Sequence, residues 1–139
     1  MITALDTSVV IDVLFGQESS FGSTSLEAYR QASQEGKVIA SPIVWAEIRP
    51  FFKSPNEMNE VFQEIQLEYD DLTKESAQTA GVIFREYRKK KPEKRRLIAD
   101  FLIGAHAICR ADRLLSRDRG FYRTYFKKLV LWDPSKSPQ

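Results

Sequence analysis

One cysteine stands among the 139 residues, so the chain cannot close a disulfide on itself. A lone Cys109 suits a reducing compartment such as the cytosol. Its setting in GAHAICRA, on an apolar helix face, reads as a buried structural thiol rather than a nucleophile. Histidine is as scarce, with one residue, so no Cys/His cluster exists to bind zinc. No apolar run approaches the ~18 residues of a membrane-spanning helix. MITALDTSVVIDVL carries Asp6 early and has no basic leader, and reads as an opening strand rather than a secretory signal. Repeats, low-complexity segments and internal linkers are also missing.

What remains is 42% apolar, enough for one globular domain over residues 1–139 with a real core, its tail frayed after Asp133-Pro134. The net charge of +2 conceals an asymmetry. Residues 1–70 hold 11 acidic and 4 basic side chains, whereas residues 71–139 hold 8 acidic and 17 basic. REYRKKKPEKRR, residues 85–96, sets eight Lys or Arg against two Glu. Such a run attracts a polyanion in a salt-dependent way; alternatively it is a solvated helix end that keeps the chain soluble.

The pattern alternates short strands with helices. ITAL (2–5) is a strand that ends at Asp6, followed by a helix over VVIDVLF. Residues 16–22 read as a loop, and SLEAYRQASQ (25–34) as a helix. KVIA (37–40) is a second strand, and Ser41-Pro42 opens a helix with a cap and a first-turn proline. Pro50 ends or kinks that helix. Ser54, Pro55 and Glu57 start another over 54–65. A third strand is expected at 67–69, and an amphipathic helix runs through TKESAQTAGVIFREYRKK to just before Pro92. ADFLIGAHAICRA (99–111) is the most apolar helix, and strands follow at 113–116 and 128–132. This succession predicts an α/β fold with a central parallel sheet of four to five strands, covered on both sides.

Four acids sit at the edges of these apolar elements: Asp6, Glu47, Asp100 and Asp118. Open parallel sheets bind ligands beyond the carboxyl ends of their strands. Asp6 and Asp118 follow strands, Asp100 opens the apolar helix, and Glu47 lies about one and a half turns past Ser41. Together they would form one acidic pocket, and their mutual repulsion would call for a divalent cation. All-oxygen ligation favours Mg²⁺ or Mn²⁺, and such a pocket suits phosphodiester hydrolysis by a metal-activated water. Taken singly, each acid has a structural use: Asp6 as a helix cap, Asp100 as a dipole partner, Asp118 in a turn, Glu47 on the surface. Asp12 reads as surface or as support for the acids. Thr7 and Ser116 could orient a carboxylate or a bound water, and Arg117 and Arg119 could meet phosphate. Lys89, Lys90 and Lys91 are further substrate candidates within the basic run. His106 lies 240° round the helix from Asp100, which favours a packed or locally hydrogen-bonded role.

DTSVVID (6–12), SPIVWAEI (41–48), ADFLIGAHA (99–107) and LLSRDRGFYRTYF (114–126) resemble the motifs of PIN-domain proteins, most nearly the VapC-type ribonuclease toxins. The resemblance spans nearly the whole chain. It implies a three-layer α/β/α fold and a metal-dependent endoribonuclease site. Asp6, Glu47, Asp100 and Asp118 match the family's acids and Ser116 its small hydroxyl residue. It also implies an RNA substrate, a homodimer or a larger toxin–antitoxin assembly, and a VapB-type antitoxin whose C-terminal segment enters the groove, all in the cytoplasm. Two rival readings are a PIN-like RNA-processing nuclease without an antitoxin and a non-catalytic nucleic-acid or protein-binding domain. A receiver-like phospho-acceptor fits poorly, because LEYDDL is a weak match for its central nucleophile.

Overall fold

The protein, seen as a computed structural model, is described for residues 1–16, 20–91, 98–118 and 120–136. Its strands are β1 (Ile2–Leu5), β2 (Lys37–Ala40), β3 (Leu67–Tyr69), β4 (Arg113–Leu115) and β5 (Leu131–Trp132). Its helices are α1 (Thr7–Phe15), α2 (Ser20–Glu35), α3 (Pro42–Ile48), α4 (Pro55–Glu64), α5 (Lys74–Lys90), α6 (Ile98–Arg110) and α7 (Phe121–Tyr125), with a 3-10 turn at Arg49–Phe51 after α3.

All pairings are parallel, in the order β3-β2-β1-β4-β5. The chain builds outward from β1 to β3, then returns to place β4 on the other side of β1. Right-handed crossovers made in opposite directions put helices on opposite faces of a sheet, which gives the three layers expected from the sequence. The reversal also creates a crevice between β1 and β4 at their carboxyl ends, the usual ligand position in such sheets.

Local sequence explains most boundaries. Asp6 caps α1 by accepting the Thr7 amide, Ser41 accepts the Val44 amide with Pro42 in the first turn, and Ser54 accepts the Glu57 amide behind Pro55. Thr73 does the same for α5 through Ser76, and Arg88, Lys89 and Lys90 sit in its last turn where the dipole favours them. The 16–22 loop differs from expectation: α2 already begins at Ser20, and residues 17–19 lie outside the described set. β5 is shorter than the expected 128–132, because β4 offers it only Leu114 and Leu115 as partners. The strand 113–116 ends one residue early, at Leu115. The short helix α7 was not anticipated in the aromatic segment after Gly120, and the tail beyond residue 136 lies outside the described residues.

Beneath α6 lies an aromatic cluster. Phe101 is fully buried, with ring centroids of Phe84, Tyr87 and Phe121 at 5.0, 5.3 and 5.1 Å. A Cβ added to Gly104 would come within 2.5 Å of the Phe126 ring, so α6 and that ring approach only because glycine is there. Further along α6, buried His106 bonds Asp70 through Nε2 at 2.9 Å, and Arg110 forks onto both oxygens of Asp70 at 2.9 Å. Arg110 chiefly, with His106, holds the Asp70 carboxyl below its ordinary value against the opposing effect of burial. Burial lowers the His106 pKa despite Asp70. His106 is thus packed and locally bonded, as its helical angle implied. Cys109 is half-buried, with Thr79 Oγ1 4.0 Å from its sulfur. No described helix is long and apolar enough to cross a membrane.

Candidate active site

The β1/β4 crevice begins at the backbone, where the Asp6 amide donates to the Leu115 carbonyl at 3.0 Å. That bond sets the residue after β1 beside the residue after β4. Ser116, fully buried, donates its hydroxyl to Asp6 Oδ2 at 2.6 Å. The other oxygen, Oδ1, accepts the Thr7 amide at 2.8 Å. The Thr7 hydroxyl in turn donates to Glu47 Oε1 at 2.8 Å. One hydroxyl therefore joins the head of α1 to the last turn of α3. Asp100 enters from the first turn of α6.

The charges of these groups act on one another. Burial raises the Asp6 carboxyl above its ordinary value. Hydrogen bonds from Ser116 and the Thr7 amide oppose that rise, and the negative charges of Asp100 and Glu47 add to it. An acid held in this way is short of positive charge. As the side chains are set, no three His, Cys, Asp or Glu residues among those described stand close enough to hold one metal ion. The donor chemistry nevertheless suits a hard divalent cation, since Asp6, Glu47 and Asp100 supply carboxylate oxygens with Thr7 and Ser116 hydroxyls between them. Glu47 is exposed, so its long side chain can swing.

Asp118 is placed differently. Its Oδ1 accepts the Tyr122 amide at 3.0 Å and its Oδ2 the Arg123 amide at 3.1 Å, so both oxygens serve the start of α7. Asp118 stands three residues before α7 and accepts two of its early backbone amides, which have no partner within the helix. Arg117 lies against Asp12, with Nε 2.7 Å from Oδ2 and Nη2 3.2 Å from Oδ1. Asp12 is buried rather than at the surface, and it also accepts the Ser25 hydroxyl at 2.7 Å. The sequence held no local sign of that pairing, which spans 105 residues. Arg119 lies outside the described residues. Lys89, Lys90 and Lys91 are exposed at the carboxyl end of α5, where Lys89 also stands 3.7 Å from Glu86. The remainder of the basic run, residues 92–96, is outside the described set.

The family model of the PIN domain matches residues 3–127. No curated protein matches the chain. Among solved structures, VapBC2 from Rickettsia felis bound to a promoter DNA fragment is similar, with a TM-score of 0.70 and 22% identity over 95% of this chain and 98% of that one. VapBC-1 from nontypeable Haemophilus influenzae gives 0.68 at 19% identity, covering 98% and 100%. FitAcB from Neisseria gonorrhoeae gives 0.62 at 21% identity, covering 97% and 99%. These likenesses concern the fold. With the family model spanning most of the sequence, and with Asp6 and Ser116 meeting at the sheet's switch point, the chain belongs to the PIN-domain family.

Proposed function

We propose that the protein is a divalent-metal-dependent endoribonuclease of the VapC toxin type, restrained by a cognate antitoxin. The observation that carries the reading is the Asp6 carboxylate. It lies at the β1/β4 crevice, hydrogen-bonded by Ser116 and loaded with negative charge by Asp100 and Glu47, in a chain of the PIN family. Similar folds occur in a toxin–antitoxin complex from Klebsiella pneumoniae and in several VapBC assemblies. Those parallels support the toxin reading and a VapB-type partner; the reading adds a homodimer within a larger assembly. The reading places the protein in the cytoplasm, with its RNA substrates.

Asp6 and Asp100 would hold Mg²⁺ or Mn²⁺, with Glu47 contributing directly or through water and Asp118 after release from α7. When bound, the ion would supply a Lewis acid for the phosphoryl oxygen and for water. Residues of the chain do the rest. Ser116 and the Thr7 amide fix the Asp6 oxygens, and the Thr7 hydroxyl fixes Glu47. Lys89, Lys90 and Lys91 draw in the RNA backbone from the α5 end that leads towards Asp100. An antitoxin basic side chain placed among the acids would use the same negative field and so compete with the ion.

The test is cleavage of single-stranded RNA by the purified chain freed of any partner. Cleavage is expected with Mn²⁺ or Mg²⁺ and is expected to vanish with EDTA; cleavage that persists in EDTA would refute metal dependence. In the same assay, replacing Lys89, Lys90 and Lys91 by alanine should weaken RNA binding and lower the slope of log affinity against log salt by about 2. An unchanged slope would return the basic run to a solubility role.

A further inference from the structure

We infer that Arg117 and Asp12 form a positioning clamp for the acidic site, and that Arg117 acts through this pair rather than as a phosphate contact. The inference rests on the nuclease reading above. Arg117 is the residue between Ser116, which holds Asp6, and Asp118, which holds the start of α7. Its side chain does not point along that loop towards substrate. It turns to α1, where Nη2 donates to Asp12 Oδ1 at 3.2 Å and Nε stands 2.7 Å from Oδ2 as an ion-pair contact out of hydrogen-bond alignment.

Three neighbours close the pair. Ser25 on α2 donates its hydroxyl to Asp12 Oδ2 at 2.7 Å, and the Arg117 guanidinium lies 4.9 Å from the centroid of the Phe21 ring. The backbone of α1 supplies the rest: Asp12 is one of its buried residues, six residues beyond the Asp6 cap. The Asp12 side chain is 8% exposed and that of Arg117 25%. Removing Arg117 would leave that buried carboxylate without its ion-pair partner.

The consequence for the site is geometric. Asp6 and Asp12 are fixed to one rigid helix, and Ser116, Arg117 and Asp118 to one short loop. The backbone bond between Asp6 and Leu115 holds that loop at its near end. The clamp holds it at the middle, six residues along α1 from the cap. Two attachments to one helix fix the loop's position and its tilt, so the Ser116 hydroxyl stays on Asp6 and the Asp118 carboxylate keeps its bonds to the Tyr122 and Arg123 amides. Moving Arg117 onto an RNA phosphate would strand Asp12 and free the loop at once. Arg117 is a positioning residue in this account, since it touches none of the proposed reacting groups.

The test uses Asp12→Asn, Arg117→Gln and the double variant in the full chain. Each single change should lower kcat roughly 10- to 100-fold with KM held within about threefold, and the double variant should be no worse than either. Hydrogen exchange of the Tyr122 and Arg123 amides should quicken about tenfold or more in all three, with the β1 amides unchanged. The clamp is overturned if Asp12→Asn leaves kcat and those amides as in the wild type while Arg117→Gln raises KM and flattens the salt dependence, the behaviour of a phosphate contact. Should Arg117→Gln fail to fold because Asp12 is stranded, Asp12→Asn and the double variant carry the comparison. A wild-type chain that cleaves no RNA would refute the nuclease reading, and the exchange of Tyr122 and Arg123 would still decide the clamp.

Discussion

Asp6→Asn and Asp100→Asn are each expected to lower metal-stimulated RNA cleavage about a thousandfold or more, about 4 kcal/mol of transition-state stabilisation, with the fold retained. Asparagine caps a helix as well as aspartate does, so the Thr7 amide keeps an acceptor at position 6. The Ser116 oxygen then meets the asparagine NH2 and accepts from it instead of donating. The charge is lost, and one of the two contacts is reversed. Stability should move the other way. The raised pKa of Asp6 means that the folded chain holds its proton more tightly than the unfolded chain does. Its stabilising share is complete below the ordinary carboxylate range and is lost as pH climbs through the raised value. At neutral pH the wild type therefore carries a penalty that Asp6→Asn removes. Denaturation at pH 7 and at pH 4 measures this: the variant should gain at pH 7 and gain less at pH 4. Full cleavage by both variants would show that these carboxylates are not the catalytic ones.

Phe101→Ala should destabilise the chain by about 3–5 kcal/mol in urea denaturation, the largest stability effect expected at any one side chain here. The ring is fully buried and meets those of Phe84, Tyr87, Phe121 and Phe126. Phe84 and Tyr87 come from α5, Phe121 begins α7 and Phe126 is the residue that ends it. The cluster therefore ties α5 and the α7 segment to α6 one residue beyond Asp100. Removing its centre opens a cavity that these four side chains, two on α5 and two at the ends of α7, cannot collapse to fill. A loss below about 1 kcal/mol would mean that the cluster relaxes freely and does not hold the head of α6.

The features that the sequence revealed are those with local causes. Ser41-Pro42 and Ser54-Pro55 announce their helices because capping chemistry is settled within four residues. Asp6 could be placed because it follows an apolar run, and strand ends are where parallel sheets gather ligands. The pairings that complete the site are distant in the chain. Asp12 and Arg117 lie 105 residues apart, and Asp70 and Arg110 lie 40 apart. Neither pair leaves a periodicity or spacing to read; each exists because the sheet order sets a particular helix beside the segment that follows a particular strand. The 3-10 turn around Pro50 and the short β5 show the same division. Proline ends a helix locally, whereas the length of an edge strand depends on what its neighbour offers. Asp118 lies between the two cases, since motif resemblance makes it a metal ligand and local geometry gives both its oxygens to α7.

The central claim is that Asp6, Asp100 and Glu47 form one cation site in the β1/β4 crevice. Paramagnetic broadening of backbone amide signals by substoichiometric Mn²⁺ tests it most directly. The account predicts that Thr7, Glu47, Asp100 and Ser116 broaden first, recover on addition of EDTA, and stay sharp in an Asp6→Asn, Asp100→Asn double variant. Broadening centred elsewhere, as on the exposed Glu60 and Glu64 of α4, or broadening unaffected by the double variant, would contradict it.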